Sequence, residues 1–359
     1  MNAAWLRRRW LLAGVLFATL LIAVGSYSLA AGIRYSPKLE RIDVRATPIT
    51  SFDNRDPSRV RFGELEFRGG LELTSKYEPF GGISAIRVEP DGSHFLSVTD
   101  LGSWLRGRIL YEDGKPAGIA DAEMAPILGP DGRPLAARGW FDAESIAEID
   151  GTLYIGIERV EKIVRFNYAR DGLLARGEPI KVPDDFKTFT FNKSLECLTA
   201  PPKGSPLAGQ LIAVTEHSLD AQGNHRSYVL NGDRVVRFSV KRSDDFDVSD
   251  CTILPPSDLL LLERSFSPLR SLGMRIRRIP LGLIKLDALI DGKVLIVADL
   301  GYQIDNMEGI AVHRNAANET IITLVSDNNF SFIQRNVLLQ FALGGNSRVQ
   351  MKTPPCGGV

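Results

Sequence analysis

Residues 81–100 read GGISAIRVEPDGSHFLSVTD, which is a short apolar run, a turn and a second apolar run. Pro90, Asp91 and Gly92 favour a tight turn, and the β-branched and aromatic residues on either side favour strands. The stretch therefore predicts a β-hairpin whose second strand ends at an acid, Asp100.

The same pattern returns four more times along the chain. The further copies are AESIAEIDGTLYIGIER at 143–159, LECLTAPPKGSPLAGQLIAVTEH at 195–217, SDCTILPPSDLLLLER at 249–264 and MEGIAVHRNAANETIITLVSDN at 307–328. The first-strand glycine or acid stands at residues 81, 144, 196, 250 and 308, so the copies are 52 to 63 residues apart. Such a period is long for one hairpin and suits a four-stranded sheet with its loops, and repeated four-stranded sheets around an axis form a β-propeller.

The sequence therefore predicts an all-β fold, a β-propeller over residues 61–345. We expect six blades, with five or seven as alternatives. Strand-like segments at residues 61–73 and 293–300 would complete the sixth blade, which the first and last strands of the chain would share. A β-sandwich is the other all-β architecture, but it gives no reason for the repeat. Residues 31–60 are expected to be an N-terminal extension and residues 346–359 a flexible tail.

The first 30 residues have the layout of a signal peptide. Three arginines at 7–9 precede an uncharged apolar run at 11–24, and small residues offer a cleavage site after Ala30. The alternative is an uncleaved anchor, although the run is shorter than the ~20 residues that a membrane span needs. Both alternatives predict that the rest of the chain is exported, periplasmic or secreted, and touches a membrane only through this segment.

The 43 basic residues, Lys and Arg, equal the 43 acidic residues, Asp and Glu, in number. Because a nucleic-acid binder usually carries a basic excess, this balance argues against a nucleic-acid partner.

Acidic residues fall at equivalent places in the copies. In the first strand they are Glu144, Glu196, Asp250 and Glu308, with Gly81 in the first copy. At the end of the second strand they are Asp100, Glu158, Glu216, Glu263 and Asp327. The start of one strand and the end of the next lie at the same edge of an antiparallel hairpin, so both sets should share one face. Carboxylates this close recruit a hard divalent cation such as calcium or magnesium; the alternative is that each acid only caps a turn.

Cationic residues follow the second strands on the same face. Guanidinium groups bind phosphates and carboxylates in a bidentate manner, so we expect a small anionic ester or phosphate as substrate. The arginines assigned to it are Arg106, Arg159, Arg264 and Arg335; the alternative is that they form ion pairs with neighbouring acids. His217 directly follows Glu216, and we assign this pair to acid–base catalysis. The sequence contains no GxSxG, HExxH, Walker or GxGxxG motif.

Export permits disulfide bonds. Cys197 and Cys251 each follow the first-strand acid of neighbouring copies, and equivalent positions on adjacent inner strands lie close together. This pairing is the one to test first, with two buried thiols as the alternative.

The repeated features resemble the bacterial phytase-like family, whose domain is described as "esterase-like activity of phytase". The resemblance covers roughly residues 60–345 and rests on GGISAIRVEPDGSHFLSVTD, GWFDAESIAEIDGTLYIGIER, NKSLECLTAPP, NMEGIAV and LVSDNNF. It implies an exported propeller that hydrolyses a phosphate or other ester. By similarity to propeller phytases, it also implies calcium between channel-mouth carboxylates and the substrate. The residues that match this role are Glu144, Glu196, Asp250, Glu308, Asp327 and Glu216; we assign the first five to the metal.

The function that follows is an exported metal-dependent hydrolase of a phosphate or other ester. A calcium-dependent lactonase-type propeller is a related enzyme hypothesis. The alternative from another class is a non-enzymatic periplasmic binding or scaffolding propeller with aromatic anchors at Trp104, Phe266 and Phe330.

Overall fold

Five β-sheets stand in a ring in the computed structural model, which describes residues 38–191, 193–267 and 271–344. The expected signal segment and the expected tail lie outside these ranges. Within them, no helix has both the length and the apolar character needed to cross a membrane.

Each sheet is one blade, and its strands are as follows. Blade 1 contains β1 (Glu40–Arg41), β5 (Ile83–Val88), β6 (His94–Thr99), β7 (Ser103–Glu112) and β8 (Lys115–Pro126). Blade 2 contains β9 (Ala143–Ile149), β10 (Thr152–Ile157), β11 (Lys162–Phe166) and β12 (Glu178–Pro179). Blade 3 contains β13 (Cys197–Thr199), β14 (Leu211–Leu219), β15 (His225–Asn231), β16 (Arg234–Val240) and β20 (Leu289–Ile290).

The remaining two blades complete the ring. Blade 4 contains β17 (Asp247–Leu254), β18 (Asp258–Ser267), β19 (Ser271–Pro280) and β21 (Lys293–Asp299). Blade 5 contains β2 (Val44–Ile49), β3 (Arg61–Phe62), β4 (Leu65–Ser75), β22 (Asn306–Arg314), β23 (Thr320–Asp327) and β24 (Asn336–Leu343). The short helices are one α-helical turn at Tyr168–Asp171 and 3-10 turns at Leu135–Arg138, Glu158–Val160, Gly172–Leu174, Asp184–Thr188 and Leu281–Leu283.

The first strand of each sequence repeat is the innermost strand of its blade. These strands, β5, β9, β13, β17 and β22, each contact the inner strand of the next blade, and β22 contacts β5. The ring is therefore closed around a central channel, and the predicted β-propeller is confirmed.

Blade 5 is built from both ends of the described chain. Its inner three strands come from the C-terminal part, and β24 pairs antiparallel with β4, from Asn336 opposite Leu73 to Leu343 opposite Leu65. The predicted sharing of one blade is confirmed. The blade count is five, one of the alternatives, rather than the six expected first. The two segments expected to build a sixth blade are instead used elsewhere: β4 is the fourth strand of blade 5 and β21 is the outermost strand of blade 4.

Five apolar clusters hold the ring together, one at each contact between neighbouring blades. Between blades 1 and 2, for example, the fully buried Trp104 packs edge-on against Phe166, with ring centroids 5.3 Å apart. Burial of apolar area between the blades supplies the stability. Polar side chains can therefore occupy the ends of the inner strands.

A disulfide joins Cys197 of β13 to Cys251 of β17, with the Cα atoms 5.0 Å apart. The pairing is the one that the sequence placed first, and it ties the inner strands of blades 3 and 4 together.

Candidate metal centre at the channel mouth

The inner strands start, and the second strands end, at one face of the ring, which we call the acidic face. In blade 1 Ile83 pairs with Thr99, in blade 2 Ala143 pairs with Ile157, and in blade 5 Asn306 pairs with Asp327. The expected placement of the two sets of acids at one face follows from this register.

A β-bulge at the start of the inner strand displays one side chain in most blades. The unpaired residue is Ser84, Glu144, Ser249 or Glu308 in blades 1, 2, 4 and 5. Glu196 lies just before β13 at the corresponding place in blade 3, where its N–H donates to the carbonyl of Ser194 (3.1 Å). Bulges re-aim side chains, and here they bring Glu144 and Glu308 to the mouth beside Glu196.

Blade 4 differs from this arrangement by one residue. Because Ser249 is its bulged residue, Asp250 returns to the ladder opposite Leu262. At the other strand, Arg264 rather than Glu263 stands opposite the first residue of β17, Asp247. A shift of one residue turns side chains to the other side of a strand.

The five equivalent positions at the second-strand ends are therefore four acids and one arginine. In three blades the backbone N–H of this residue donates to a carbonyl just before the inner strand, at 2.9 to 3.0 Å. The five residues, in blade order, are Asp100, Glu158, Glu216, Arg264 and Asp327.

Three of the mouth glutamates form a compact cluster, which we call the Glu triad. Glu158, Glu196 and Glu216 are all buried and each offers an oxygen within 4.8 Å of the others. Calcium binds carboxylate oxygens at about 2.3–2.6 Å, so oxygens on opposite sides of one ion lie up to about 5 Å apart. The triad has the donor type and the spacing for a hard divalent cation.

Two further observations point to a cation at the triad. The buried Oε2 of Glu196 has no hydrogen-bond partner among the described residues, although Glu158 accepts a hydrogen bond from the backbone N–H of Ser194 (2.6 Å). Burial, with a smaller contribution from Glu216 and Asp142, raises the pKa of Glu158 to about 8. Burial and then the neighbouring Glu158 and Glu216 raise the pKa of Glu196 well above its usual range. A cation bound at the triad would favour the ionised carboxylates and displace protons from them.

The pKa values of three other acids at the mouth are raised for the same reason. Burial, followed by repulsion from Asp327, holds the pKa of Asp100 well above its usual range, and burial raises the pKa of Asp327 to about 7. For Glu144 the cause is burial and then Glu196. The whole mouth is thus deficient in positive charge.

Arg264 is the cation that reaches into this ring of acids. Its Nη2 lies 3.1 Å from Oε1 of Glu216, and its Nη1 lies 3.0 Å from Oδ1 of Asn306 and also donates to Glu308. Burial lowers the pKa of Arg264, but the surrounding carboxylates, Glu216 first, outweigh burial and raise it above its usual value. The second oxygen of Glu308 remains buried without a hydrogen-bond partner in the described structure.

Asp250 lies apart from the mouth acids. Its carboxylate accepts hydrogen bonds from the backbone N–H groups of Cys251 and Ile310, each at 2.7 Å. Because Ile310 belongs to β22, the contact joins the inner strands of blades 4 and 5. These two hydrogen bonds favour a structural role for Asp250, and its assignment to the metal stays a prediction.

Glu263 is likewise a structural acid. It is fully buried between two buried arginines of the same blade, with Arg275 Nε at 2.8 Å and Arg277 Nη2 at 2.6 Å.

His217 forms a pair with an acid of the next blade. Its Nδ1 lies 2.9 Å from Oδ1 of Asp247, which also accepts a hydrogen bond from Nε of Arg242 at 2.6 Å. With Nδ1 bonded to a carboxylate, Nε2 is the ring nitrogen left to accept a proton.

A family model for phytase-like proteins, described as "Esterase-like activity of phytase", matches residues 78–330. The chain belongs to the phytase-like family. The matched part of this phytase-like chain contains all five inner strands and every mouth acid named above.

No curated protein matches this phytase-like chain. Among solved structures, the glutaminyl cyclase of Myxococcus xanthus is 12% identical, with 74% of this chain and 92% of that chain covered and a TM-score of 0.40. The N-terminal domain of Nup159 is 11% identical, with coverages of 84% and 98% and a TM-score of 0.37.

The mouth of the channel brings together most of the residues that the sequence assigned to the functional site. Those at the mouth are Glu144, Glu196, Glu216, Glu308, Asp327, Arg159 and Arg264. The Nε of Arg159 donates a hydrogen bond to the carboxylate of Asp142 (2.8 Å).

Two of the assigned arginines lie elsewhere in the phytase-like propeller. Arg106 is in the middle of β7, bonded to Glu123 (2.7 Å), and lines a cavity of about 870 Å³ between blades 1 and 2. Arg335 is on the acidic face but reaches outward in blade 5, to Gln303 (3.0 Å) and Asp305 (3.6 Å).

Sequence reasoning did not assign two acids that matter here. Glu158 was recognised as a strand-end acid but not as a metal ligand, and Asp142 was not singled out. The signal for Asp142 is its place two residues before the bulged Glu144, at the position where its carbonyl accepts the N–H of Glu158 (3.0 Å).

The glycines of the first repeat make room for an aromatic ring. Gly82 has φ +61°, and a Cβ there would lie 2.8 Å from the Phe330 ring and 3.1 Å from Oδ2 of Asp100. Phe330 therefore packs over Gly82 beside Asp100, whereas the residue of blade 1 that is equivalent to Glu144 and Glu308 is Ser84.

Proposed function

We propose that this protein is an exported, metal-dependent hydrolase of a phosphate or other ester, with a divalent cation, calcium first, at Glu158, Glu196 and Glu216. The observation that carries the proposal is the Glu triad, whose oxygens lie within 4.8 Å of one another and include the unpartnered Oε2 of Glu196. Membership of the phytase-like family supports the hydrolase class.

A cation held by the triad would lower the pKa of a bound water and neutralise charge that develops on the ester oxygen. The residues of the chain would do the rest. Arg264 has donors beside the triad and is placed to bind an anionic group of the substrate. His217, oriented by Asp247 through Nδ1, is placed to hold a proton at Nε2.

Calcium binding and ester hydrolysis test the proposal together. The mature domain would be melted with calcium, with magnesium and with a chelator, and assayed on 4-nitrophenyl phosphate, 4-nitrophenyl acetate and phytate. A cation at one hundred times its dissociation constant stabilises the folded state by about 2.7 kcal/mol. We expect a calcium-dependent rise in Tm and hydrolysis of at least one ester.

Two variants locate the effect. Glu196→Gln keeps the size of the side chain and removes its charge, so the calcium shift and the hydrolysis should fall together. Glu178→Gln is the control, because Glu178 lies at the outer edge of blade 2 in an exposed pair with Arg165 (2.9 Å). Identical melts in all three conditions, with no ester hydrolysed, would favour the binding propeller instead.

One of the three aromatic residues expected to anchor a ligand in a binding propeller is not accessible. Trp104 is fully buried, whereas Phe266 is exposed and Phe330 half-buried. We therefore keep the hydrolase as the proposed function.

Export is also a proposal. It is supported by the signal-like layout of residues 1–30 and by the Cys197–Cys251 disulfide, since disulfides persist in oxidising compartments. N-terminal sequencing of periplasmic material should find a chain that starts after Ala30; a membrane-bound chain that starts at Met1 would mean an uncleaved anchor.

A further inference from the structure

Three phenylalanines are exposed, and all three lie on the acidic face. The exposed fractions are 67% for Phe191, 78% for Phe266 and 100% for Phe332. Phe191 precedes the start of β13, Phe266 is at the end of β18, and Phe332 is in the loop between β23 and β24. Every other phenylalanine whose burial the structure describes is buried or half-buried. Exposed aromatic side chains gathered at one place mark a binding surface.

Phe266 lies on the same strand as Arg264, at the edge of the polar site. It is two residues beyond Arg264 on β18, so both side chains point to the same side of the strand, about 7 Å apart along it. Arg264 reaches Glu216 and Glu308. The β18–β19 hairpin continues past Arg264, with Phe266 opposite Leu272, so the exposed ring lies at the same end of blade 4 as Arg264.

Phe191 lies close to residues that contact the acids of the mouth. The guanidinium of Arg159, which binds Asp142, lies 5.8 Å from the centroid of the Phe191 ring. Two residues further along the chain, Lys193 lies 3.7 Å from Glu216. Phe191 and Phe266 thus each lie two residues from a side chain that contacts Glu216, Lys193 in the first case and Arg264 in the second.

The charge of the mouth argues against a highly charged substrate. Its carboxyl groups are Asp100, Asp142, Glu144, Glu158, Glu196, Glu216, Glu308 and Asp327. Within the described residues, their ion pairs come from Arg159, Lys193 and Arg264. The carboxyl groups outnumber these three basic partners, so the mouth offers few cationic groups to bind a polyanion. A substrate with little charge fits the mouth better.

We infer that the apolar entrance formed by Phe191 and Phe266 binds an aromatic group of the substrate, and that the substrate is an aryl ester of low charge rather than a polyphosphorylated polyol. The inference rests on the proposed function and names the substrate class of the same site.

Kinetics with calcium present test the substrate class. Phe191→Ala and Phe266→Ala would each be compared with wild type on 4-nitrophenyl acetate, methyl acetate and phytate. We expect KM for 4-nitrophenyl acetate to rise about tenfold, with kcat within twofold and the rate on methyl acetate unchanged. The control is Leu174→Ala, which removes an exposed apolar side chain from the 3-10 turn at Gly172–Leu174. An unchanged KM in both phenylalanine variants, or a kcat/KM for phytate above that for 4-nitrophenyl acetate, would overturn the inference while leaving the hydrolase in place.

A binding measurement separates this inference from the proposed function. Phe266→Trp would place a fluorescent reporter at the entrance, and 4-nitroanisole is a neutral, non-ester nitroaromatic that quenches tryptophan. Saturable quenching in this variant, with only linear quenching in Leu174→Trp, supports the aromatic subsite even if no ester is hydrolysed. Linear quenching in both variants refutes the subsite.

Discussion

Arg264 in blade 4 occupies the position that Glu158 occupies in blade 2. In blade 4 the last pair before the bulge joins Glu263 to Val248, and Arg264 follows Glu263. In blade 2 the corresponding pair joins Ile157 to Ala143, and Glu158 follows Ile157. One guanidinium therefore interrupts a ring of strand-end acids and links Glu216 of blade 3 to Glu308 of blade 5. Without a bound metal ion, the guanidinium of Arg264 is a principal partner of both carboxylates.

Removing this guanidinium should make the fold more dependent on calcium. Arg264→Gln leaves Glu216 and Glu308 without their shared cation, and breaking a buried ion pair costs about 3 kcal/mol or more. Urea unfolding in chelator should show that loss, and saturating calcium should restore more stability than it adds to wild type.

The matched control for this variant is Arg278→Gln, on β19 of the same blade, whose partner Asp258 (2.5 Å) is far from the mouth. An Arg264→Gln protein as stable in chelator as wild type would mean that Arg264 does not balance the mouth charge.

The metal-free domain should lose stability as the pH rises. The pKa of Glu158 is raised from 4.5 to about 8, and that of Asp327 from 3.8 to about 7. Between these limits the folded state binds more protons than the unfolded state, so the free energy of unfolding falls as pH rises. Each group contributes a slope of at most about 1.4 kcal/mol per pH unit.

Melts in chelator from pH 5 to pH 8 check this slope. Glu158→Gln should flatten it, and the stabilisation by calcium should grow with pH because the cation binds the ionised carboxylates. A Tm in chelator that climbs over this range contradicts the raised pKa values.

Asp250 should prove structural. Asp250→Ala removes the acceptor of two backbone N–H groups, and each unsatisfied buried donor costs about 1–3 kcal/mol. The variant should melt earlier but keep the full calcium shift. If the shift disappears instead, Asp250 is the metal ligand that its place in the repeat suggested.

Reduction of the disulfide should destabilise the ring between blades 3 and 4. Cys197 and Cys251 are 54 residues apart, and a loop of that length corresponds to about 4 kcal/mol in the chain-entropy model. The double variant Cys197→Ala/Cys251→Ala should melt at the same lowered temperature with and without reductant, and reductant should bring wild type down to it. Equal Tm values for reduced and oxidised wild type would show that the bond adds nothing.

The repeat pattern predicted the inner strands and the acidic face because strand alternation and hairpin turns are local properties. It failed in blade 4, where aligning Asp250 with Glu144 and Glu308 ignored the bulge at Ser249. A bulge adds one residue without changing composition, so the shift from Glu263 to Arg264 could be found only from the pairing of β17 with β18.

The other differences are tertiary. Arg106 and Trp104 were placed among loop residues of the acidic face, but β7 begins at Ser103 and buries Trp104 against blade 2. The blade count depended on whether β4 and β21 join existing sheets, and long-range strand pairing leaves little trace in the sequence of either strand.

Because β4 pairs with β24, blade 5 cannot be completed until residues 336–343 have been synthesised. Across this blade, Arg68 binds Glu319, 251 residues away. Contacts this distant in sequence form slowly, and an unpaired strand edge is a template for association with other chains. During synthesis β4 emerges early together with its neighbour β2, but its other edge remains unpaired until residues 336–343 appear. A chain that stops before residue 336 would leave open edges on both β4 and β23, so its failure would appear as aggregation even though blades 1 to 4 are complete.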